Sequence, residues 1–360
     1  MNIVDKYILK KFLGTFFFMM LIIMSIAIIF DITEKIEDFQ KGATWDEIVF
    51  DYYLNFIMFY GNMFSAMIVF ISTILFTSKM TSNTEIVAIL TGGVSYRRLM
   101  MPFFIGATVV FLGSFVANHY IIPKTNVKRL EFENTYVGMG RSLADNQNIH
   151  RQVAPGELVY FENFSPNRQT GHNFSYEKFD ENLALKSKLT GNYIRYDTAT
   201  DKWKIDQFVL RIIDEDGTEH LTKGRRLDTA FVFKPEELVP RLFSSAMMIT
   251  PVLKDFIEAE RLRGSSKLNT YYIEYYKRTS WPFATYILIL IAVSLSTKKN
   301  RGGLGLNMAI GIFICLIYVF LMQISSTFGS VGQISPLVAV WFPNAIFLVL
   351  GIWLYLRAPK

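Results

Sequence analysis

Residues 12–30 read FLGTFFFMMLIIMSIAIIF and contain no charged side chain. Because the hydrocarbon core of a bilayer needs about 20 mostly apolar residues per helix, this stretch predicts a transmembrane helix. It is too long for the apolar region of a signal peptide, and no A-x-A cleavage site follows it. Five further apolar runs follow at 54–76, 99–122, 281–295, 304–322 and 337–356. The sequence therefore predicts an α-helical polytopic membrane protein with six transmembrane helices.

The composition and the motifs limit the possible functions. Of the 360 residues, 51% are hydrophobic and 19% are charged, which is unusual for a soluble domain. The single cysteine, Cys315, excludes a disulfide framework, and the four histidines lack metal-ligand spacing. No G-x-x-x-x-G-K-[ST] loop and no recognisable catalytic motif occurs. We therefore expect a chain without catalytic activity, metal or cofactor.

Lysine and arginine residues indicate the orientation, since positively charged connections stay in the cytoplasm. The basic connections all fall on one side of the six-helix plan, so both termini are expected in the cytoplasm of a bacterial inner membrane. The first dozen residues fit either an interfacial helix or the start of the first membrane helix. The basic groups are Lys6, Lys10 and Lys11; Lys79, Arg97 and Arg98; Lys298, Lys299 and Arg301; and Arg357 and Lys360.

A polar insert separates the third and fourth membrane runs. Short alternating segments between turn signals predict an antiparallel sandwich, jelly roll or barrel, and its balanced charge does not indicate a nucleic-acid partner. Thr250, Pro251 and Gly264 then delimit one helix. The predicted division is 1–122 for the first three membrane helices, 123–250 for a jelly-roll-like periplasmic domain, 251–274 for a returning helix and linker, and 275–360 for the last three membrane helices.

Glu85 is an isolated acidic residue in the connection between the second and third membrane runs. Ser82-Asn83-Thr84-Glu85 matches the S/T-x-x-E capping box, in which Ser82 begins a helix and Glu85 closes back on it. The short apolar helix that follows, within about 82–93, is a candidate docking surface through Ile86, Ile89 and Leu90. From the residues alone, Glu85 has either a capping role or a docking role.

Four polar residues in or beside the other membrane runs are candidates for pairing or for substrate contact. Glu274 and Arg278 have the i,i+4 spacing of a helical ion pair. Asn307 and Gln323 fit hydrogen bonds between helices more often than substrate contacts. The residues predicted to line a substrate cavity or gate are Lys35, Lys41, Asn307, Tyr318 and Gln323.

The chain resembles the LptF/LptG permeases of the lipopolysaccharide export system over nearly its whole length. The beginning of the chain and the C-terminal run from Gly329 to Arg357 look closer to the LptG branch. The plan of three helices, soluble domain and three helices also agrees. The segments that carry the resemblance are Asp5-Lys6-Tyr7-Ile8, Glu85-Ile86-Val87-Ala88, Gly92-Gly93-Val94-Ser95 and residues 271–282.

This resemblance implies a non-catalytic permease subunit of an ABC-type exporter that extracts lipopolysaccharide from the inner membrane. It implies three kinds of protein partner: a second LptF/LptG-type subunit, a cytoplasmic LptB-like ATPase dimer that binds ATP, and a periplasmic LptC/LptA-like bridge. Glu85 matches the coupling-helix acid that faces the ATPase in that family. The alternative is a membrane-anchored sensor or scaffold with a ligand-binding β domain, although a sensor usually has a cytoplasmic output domain.

One departure from the family concerns the periplasmic end of the first helix. LptG relatives often have basic residues there for lipid phosphates, whereas this chain has four acidic residues around Lys35: Asp31, Glu34, Glu37 and Asp38. We therefore expect either a substrate with fewer phosphates or cations that come from the second subunit.

Overall fold

The computed structural model describes residues 3–137, 147–165, 168–180, 182, 184–214, 216–238, 242–265, 267–298 and 303–358. Six helical segments in these ranges are long and apolar enough to cross a membrane. An antiparallel sheet lies between the third and the fourth of them in the chain. The predicted fold class, a polytopic helical membrane protein with an inserted β domain, is confirmed. The segments are Ile3–Phe39, Glu47–Ser82, Tyr96–Tyr136, Leu268–Ser296, Gly303–Val331 and Pro336–Arg357.

The first half begins with α1 (Ile3–Phe39), which is one continuous helix. From Ile3 onward the chain therefore runs without a break into the membrane helix, and the described residues contain no separate helix before it. A π-helical turn (Glu47–Tyr53) precedes α2, and a second one (Ala117–Ile121) joins α4 to α5. The helices are α2 (Leu54–Ser82), α3 (Glu85–Thr91), α4 (Tyr96–Val116) and α5 (Ile122–Tyr136).

The third membrane helix continues beyond the predicted domain boundary at residue 123. Pro123 lies within the first two positions of α5, and the helix runs on to Tyr136. Proline inside a helix removes a donor and clashes with the carbonyl four residues earlier. Here it lies in the first turn of α5, two residues after a π-helical turn ends, and the first turn of a helix tolerates proline. The polar insert consequently starts after Tyr136.

The insert forms one antiparallel sheet in which each strand pairs with its neighbours in sequence. Short turns favour this order, because two antiparallel strands can be joined by a few residues. Among the described strands the topology is a meander, without the crossover connections between two sheets that define a jelly roll. The strands are β1 (Gln147–Ala154), β2 (Glu157–Ser165), β3 (Thr170–Phe179), β4 (Leu185–Asp197), β5 (Lys202–Ile213) and β6 (Glu219–Thr229).

An aromatic core stabilises the sheet. Phe161 of β2, Phe174 of β3 and Trp203 of β5 are almost completely buried in one cluster. The Trp203 indole N–H donates to the backbone oxygen of Phe233 at 3.3 Å, so the polar edge of this buried ring has a partner. Alternate residues of neighbouring strands therefore supply the core, as the alternating sequence pattern predicted.

Three helices follow the sheet: α6 (Pro235–Leu238), α7 (Leu242–Met247) and α8 (Thr250–Leu262). The predicted helix after the strands is α8, and Gly264 just beyond it has φ 67°, a left-handed conformation that glycine adopts without strain. Leu253, Ile257 and Glu260 form its buried face. Glu260 pairs with Arg151 of β1 at 2.5 Å, so an ion pair holds α8 beside the first strand.

The last three membrane helices are α9 (Leu268–Ser296), α10 (Gly303–Val331) and α11 (Pro336–Arg357). In its apolar window α9 is 67% buried, whereas α1 is 17% and α10 is 22% buried. The helix α9 is therefore central, and α1 and α10 leave apolar surfaces for lipid or another chain to cover. The chain divides into a membrane unit (Met1–Gly138, Ala246–Val252, Asn269–Lys360) and a β unit (Met139–Ser245, Leu253–Leu268).

Candidate functional site

The connection between α2 and α4 does not contain the predicted capping box. Ser82 is the last residue of α2, and Thr84, with φ 63°, directly precedes α3. No side chain caps α3. The reason is that α2 continues further than predicted: the Asn83 N–H donates to the Lys79 carbonyl at 3.0 Å, which places Ser82 inside a helix instead of before one.

Glu85 is the first residue of α3 and is held by two donors. Its carboxylate accepts hydrogen bonds from the Tyr7 hydroxyl at 3.1 Å and from Asn83 Nδ2 at 3.4 Å. A negative charge in the first turn of a helix also interacts favourably with the helix dipole. The structure thus places Glu85 beside α1 and does not use it as a cap.

The apolar residues of α3 have two different roles. Ile86 is buried, and Ile89 and Leu90 are partly buried against the same hydrophobic cluster of the membrane unit. Val87, in contrast, is 45% exposed. Of the predicted docking residues, Ile86 therefore anchors α3, while Ile89 and Leu90 stay partly exposed, as Glu85 does. The docking role of these residues stays a prediction.

The first turns of α1 hold the α3 segment in place. Asp5, which is buried, accepts from Arg98 of α4 at 2.5 Å, and Tyr7 donates to Glu85 as described above. These contacts explain the Asp5-Lys6-Tyr7 segment, whose partners the sequence analysis did not identify. Both partners are more than 70 residues away in the chain, so only the folded structure shows them.

Lys35 lies in a network of buried charges. Its Nζ is 2.8 Å from Asp31 Oδ1 and 3.9 Å from Glu133 Oε1, and it also contacts the Tyr52 hydroxyl. Glu133 in turn accepts from Arg129 at 2.8 Å. Two cations thus balance two carboxylates in the contact between α1, the turn before α2, and α5. Lys35 is therefore already neutralised.

Lys41 and Asn307 do not line either of the cavities described below. Lys41 pairs with Asp38, and its side chain is 59% exposed. Asn307 is buried and donates to Ser78 Oγ at 3.0 Å, which joins α10 to α2. Asn307 therefore has the interhelical hydrogen bond that the sequence analysis considered most frequent for such a residue.

Two cavities lie within the membrane unit, and the predicted residues Tyr318 and Gln323 contribute to them. The larger is an apolar groove of about 800 Å³ between α1, α2 and α10, with Gln323 on its wall. The smaller, which we call the inner cavity, measures about 100 Å³ and lies mainly between α2, α9 and α10. Tyr318 lines the inner cavity and donates to Asn344 Oδ1 at 2.8 Å. Both cavities share Phe64, Met67, Val319 and Gln323.

Lys277 of α9 lies on the wall of the inner cavity and was not identified from the sequence. Its Nζ is 5.7 Å from the centre of the Trp281 ring. Glu274 pairs at 3.5 Å with Arg278, which confirms that predicted pair and leaves Lys277 without a salt bridge among the described residues. The sequence signal that could have identified Lys277 is the neighbouring pair of cations, Lys277 and Arg278. Glu274 has the i,i+4 spacing to Arg278, so Lys277 is the second cation beside a single carboxylate.

Six apolar helices, a groove in the membrane unit and an inserted β unit define a multi-pass membrane protein of the permease type. The family model described as "Lipopolysaccharide export system permease LptF/LptG" matches residues 6–357, so the chain belongs to this family. The resemblance seen in the sequence is confirmed. The chain is thus a permease subunit of a lipopolysaccharide export system.

Two relatives are similar to the chain over its full length. The lipopolysaccharide export system permease protein LptG of Escherichia coli (strain K12) is 19% identical over 364 residues, which cover 99% of this chain and 98% of the relative. The protein of the same name from Escherichia coli O6:H1 (strain CFT073) has the same identity and coverage. These relatives agree with the predicted similarity to the LptG branch.

Proposed function

We propose that the chain extracts lipopolysaccharide from the bacterial inner membrane as half of a permease pair. In this proposal a second LptF/LptG-type subunit completes the cavity, a cytoplasmic LptB-like ATPase dimer supplies the energy, and an LptC/LptA-like bridge receives the lipid. The observation that carries it is the apolar groove of about 800 Å³ between α1, α2 and α10, next to the two least buried membrane helices.

The groove suits the fatty part of a lipid. Its wall is formed by Ile, Leu, Met, Phe, Val and Cys side chains, with Gln323 as its polar member. Apolar cavities of roughly 300–1,000 Å³ are typical of ligand sites. Because Leu316 and Phe320 of the groove wall stay exposed, a second subunit that covers them would enclose the lipid.

Glu85 is the proposed contact with the ATPase. It lies in a partly exposed position at the start of α3, beside exposed Val87. The chain contains no phosphate-binding loop of its own. ATP hydrolysis therefore belongs to the partner, and the purified chain alone is expected to show none.

The proposed orientation has both termini and α3 in the cytoplasm and the β unit in the periplasm. Its support is the basic flanks, of which Lys299, Arg301 and Lys360 lie outside the described residues. A reporter inserted after Lys298 should give a cytoplasmic signal, and one inserted after Gly217 a periplasmic signal. A cytoplasmic signal at Gly217 would exclude this orientation.

Co-purification from native membranes tests the proposal. The full chain, extracted in a mild detergent, should carry a second permease subunit, an ATPase and lipopolysaccharide, all identified by mass spectrometry. A tagged membrane protein unrelated to transport, expressed to the same level, is the control for nonspecific lipid. Recovery of the chain without lipopolysaccharide and without an ATPase would contradict the proposed function.

A further inference from the structure

We propose that the inner cavity binds an oxyanion, a phosphate or carboxylate group of a lipid whose fatty chains lie in the adjoining apolar groove, and that Lys277 is its main contact. The transported lipid is the source that we favour, and in this respect the inference rests on the proposed function. The proposal assigns a binding role to a residue of α9, away from the acidic end of α1 where the family comparison suggested phosphate contacts.

The first observation is the state of Lys277. Lys277 lines the cavity, its amine lies over the ring of the wall residue Trp281, and it has no salt bridge in the described part of the chain. Ionisable side chains within membrane helices are costly, and those that are present usually have a partner or a function. Other cations of the membrane unit, among them Lys35, Arg129 and Arg278, each contact a carboxylate. Lys277 differs from them in lacking this contact.

The second observation is the polarity of the wall. The cavity is rich in small polar side chains, although it lies between apolar helices. The Trp281 indole N–H and the Ser326 hydroxyl, both from wall residues, have no hydrogen-bond partner among the described residues, and buried polar atoms rarely stay unpaired. Small rearrangements that bring these groups to a bound oxyanion would satisfy them. The polar wall residues are Asn62, Ser65, Ser114, Lys277, Gln323 and Ser326.

The third observation is that the two cavities adjoin. Phe64, Met67, Val319 and Gln323 line both, so rotation of these four side chains would let one molecule occupy both. The groove is almost wholly apolar, whereas the inner cavity carries the cation. An amphiphile with an anionic head group matches this division, because each of its parts meets the surface with which it interacts favourably. The volume of about 100 Å³ limits the occupant of the inner cavity to a small group.

The binding experiment uses the full chain purified in detergent with its partner proteins. Three probes are compared by microscale thermophoresis: phosphorylated lipid A, the same lipid A after phosphatase treatment, and inorganic phosphate. The variants are Lys277→Gln, which removes the charge, Lys277→Arg, which keeps it, and Lys128→Gln, which removes an exposed lysine of α5 that pairs with Asp51.

A charge-assisted contact should make phosphorylated lipid A bind about 10-fold or more tightly than the dephosphorylated form. Lys277→Gln should abolish this preference, whereas Lys277→Arg and Lys128→Gln should keep it. An unchanged preference in Lys277→Gln would overturn the proposal, and so would the absence of any preference in the wild-type chain that binds both lipids. If Lys277→Gln does not fold, mild acetylation of the lysines of the wild-type chain supplies the same test. Peptide mapping should show that bound lipid protects Lys277 from acetylation, and acetylation of Lys277 should remove the preference for phosphorylated lipid A.

Inorganic phosphate distinguishes the two sources of the oxyanion. If millimolar phosphate displaces the lipid and this displacement requires Lys277, the result supports the oxyanion site and assigns the free ion as its ligand. If phosphate does not displace the lipid, the ligand is the lipid head group. If the wild-type chain binds neither form of lipid A, the proposed function fails. Phosphate binding alone then tests the oxyanion site in the inner cavity. Binding that depends on Lys277 supports the site, and the absence of phosphate binding overturns it.

Discussion

Glu85 is held at the start of α3 by the Tyr7 hydroxyl of α1 and stays partly exposed. The S/T-x-x-E pattern predicted a cap, but the neighbouring helix α2 extends through Ser82, and Glu85 contacts Tyr7 of α1. Local patterns specify what a residue can do in isolation. Local patterns do not show tertiary contacts or the extension of a helix that such contacts stabilise. For this reason the sequence did not reveal the partners of Tyr7 and Asp5.

The coupling role of Glu85 can be tested by removing its charge. Glu85→Gln should weaken association with the proposed ATPase by about 10- to 100-fold, because a charge-assisted hydrogen bond contributes about 1.5–3 kcal/mol. Tyr7→Phe is the control, since it deletes the internal hydrogen bond and keeps the carboxylate. Affinity is measured with the purified ATPase at equal expression of each variant. Equal effects of both substitutions would show that Glu85 acts within the chain only.

The Arg151–Glu260 pair is the buried ion pair that holds α8 beside β1. The side chains are 7% and 0% exposed, and Arg151 also donates to the Leu238 carbonyl at 3.3 Å. Removing one member of such a pair leaves a buried charge and typically costs about 3–5 kcal/mol. Glu260→Gln should therefore increase hydrogen exchange in β1 and α8 of the full chain.

Two further variants make the effect of Glu260 specific. Glu258→Gln changes an exposed carboxylate of the same helix and should leave the exchange unchanged. The double variant Arg151→Met/Glu260→Leu should recover much of the lost protection, because apolar replacement of a whole buried pair is often neutral. Protection in Glu260→Gln equal to that of the wild-type chain would mean that the ion pair does not stabilise α8.

At the level of elements, the positions of the membrane helices follow the apolar pattern closely, whereas the residues at which these helices end do not. Hydropathy alone placed all six membrane helices, because the bilayer fixes their length. Hydropathy did not show that α5 continues the third helix through Pro123, because a proline usually marks a helix boundary. In the structure, Pro123 lies in the first turn of α5, just after a π-helical turn. The alternating pattern likewise predicted the strands. It did not predict their order in the sheet, because that order depends on which strands form hydrogen bonds with each other.

Close packing between helices gives a sharp prediction at this scale. A Cβ at Gly329 of α10 would lie 2.5 Å from Ala339 Cβ and 2.8 Å from Ile273 Cδ1. The Ala339 Cβ moves only with its backbone, so Gly329→Ala should destabilise the membrane unit by about 1–3 kcal/mol. The measurement is the thermal unfolding midpoint in detergent.

Gly305 of the same helix is the matched control. A Cβ there meets no atom of the described residues within 4 Å, so Gly305→Ala should be neutral or slightly stabilising, as alanine favours helix. If both substitutions lower the midpoint by the same amount, the loss reflects glycine itself and not the close approach of α10 to Ala339.

At the level of the whole molecule, the plan of helices was predictable and the cavities were not. Each apolar run could be identified by itself, and the order of the runs carried the family resemblance. The inner cavity depends on residues of α2, α9 and α10 that are separated by up to 264 positions, from Asn62 to Ser326, so Lys277 was not assigned to it. Of the five predicted cavity residues, Tyr318 and Gln323 do line a cavity, whereas Lys35 and Asn307 have partners inside the protein.

The central claim is that this chain is a permease subunit whose transport is powered by a separate ATPase. ATP-dependent release of lipopolysaccharide from proteoliposomes tests it most directly, with the chain, the second permease subunit, the ATPase and a periplasmic acceptor present together. We predict release that requires ATP and stops when this chain is omitted. Release that proceeds at the same rate without the chain, or without ATP, would contradict the claim.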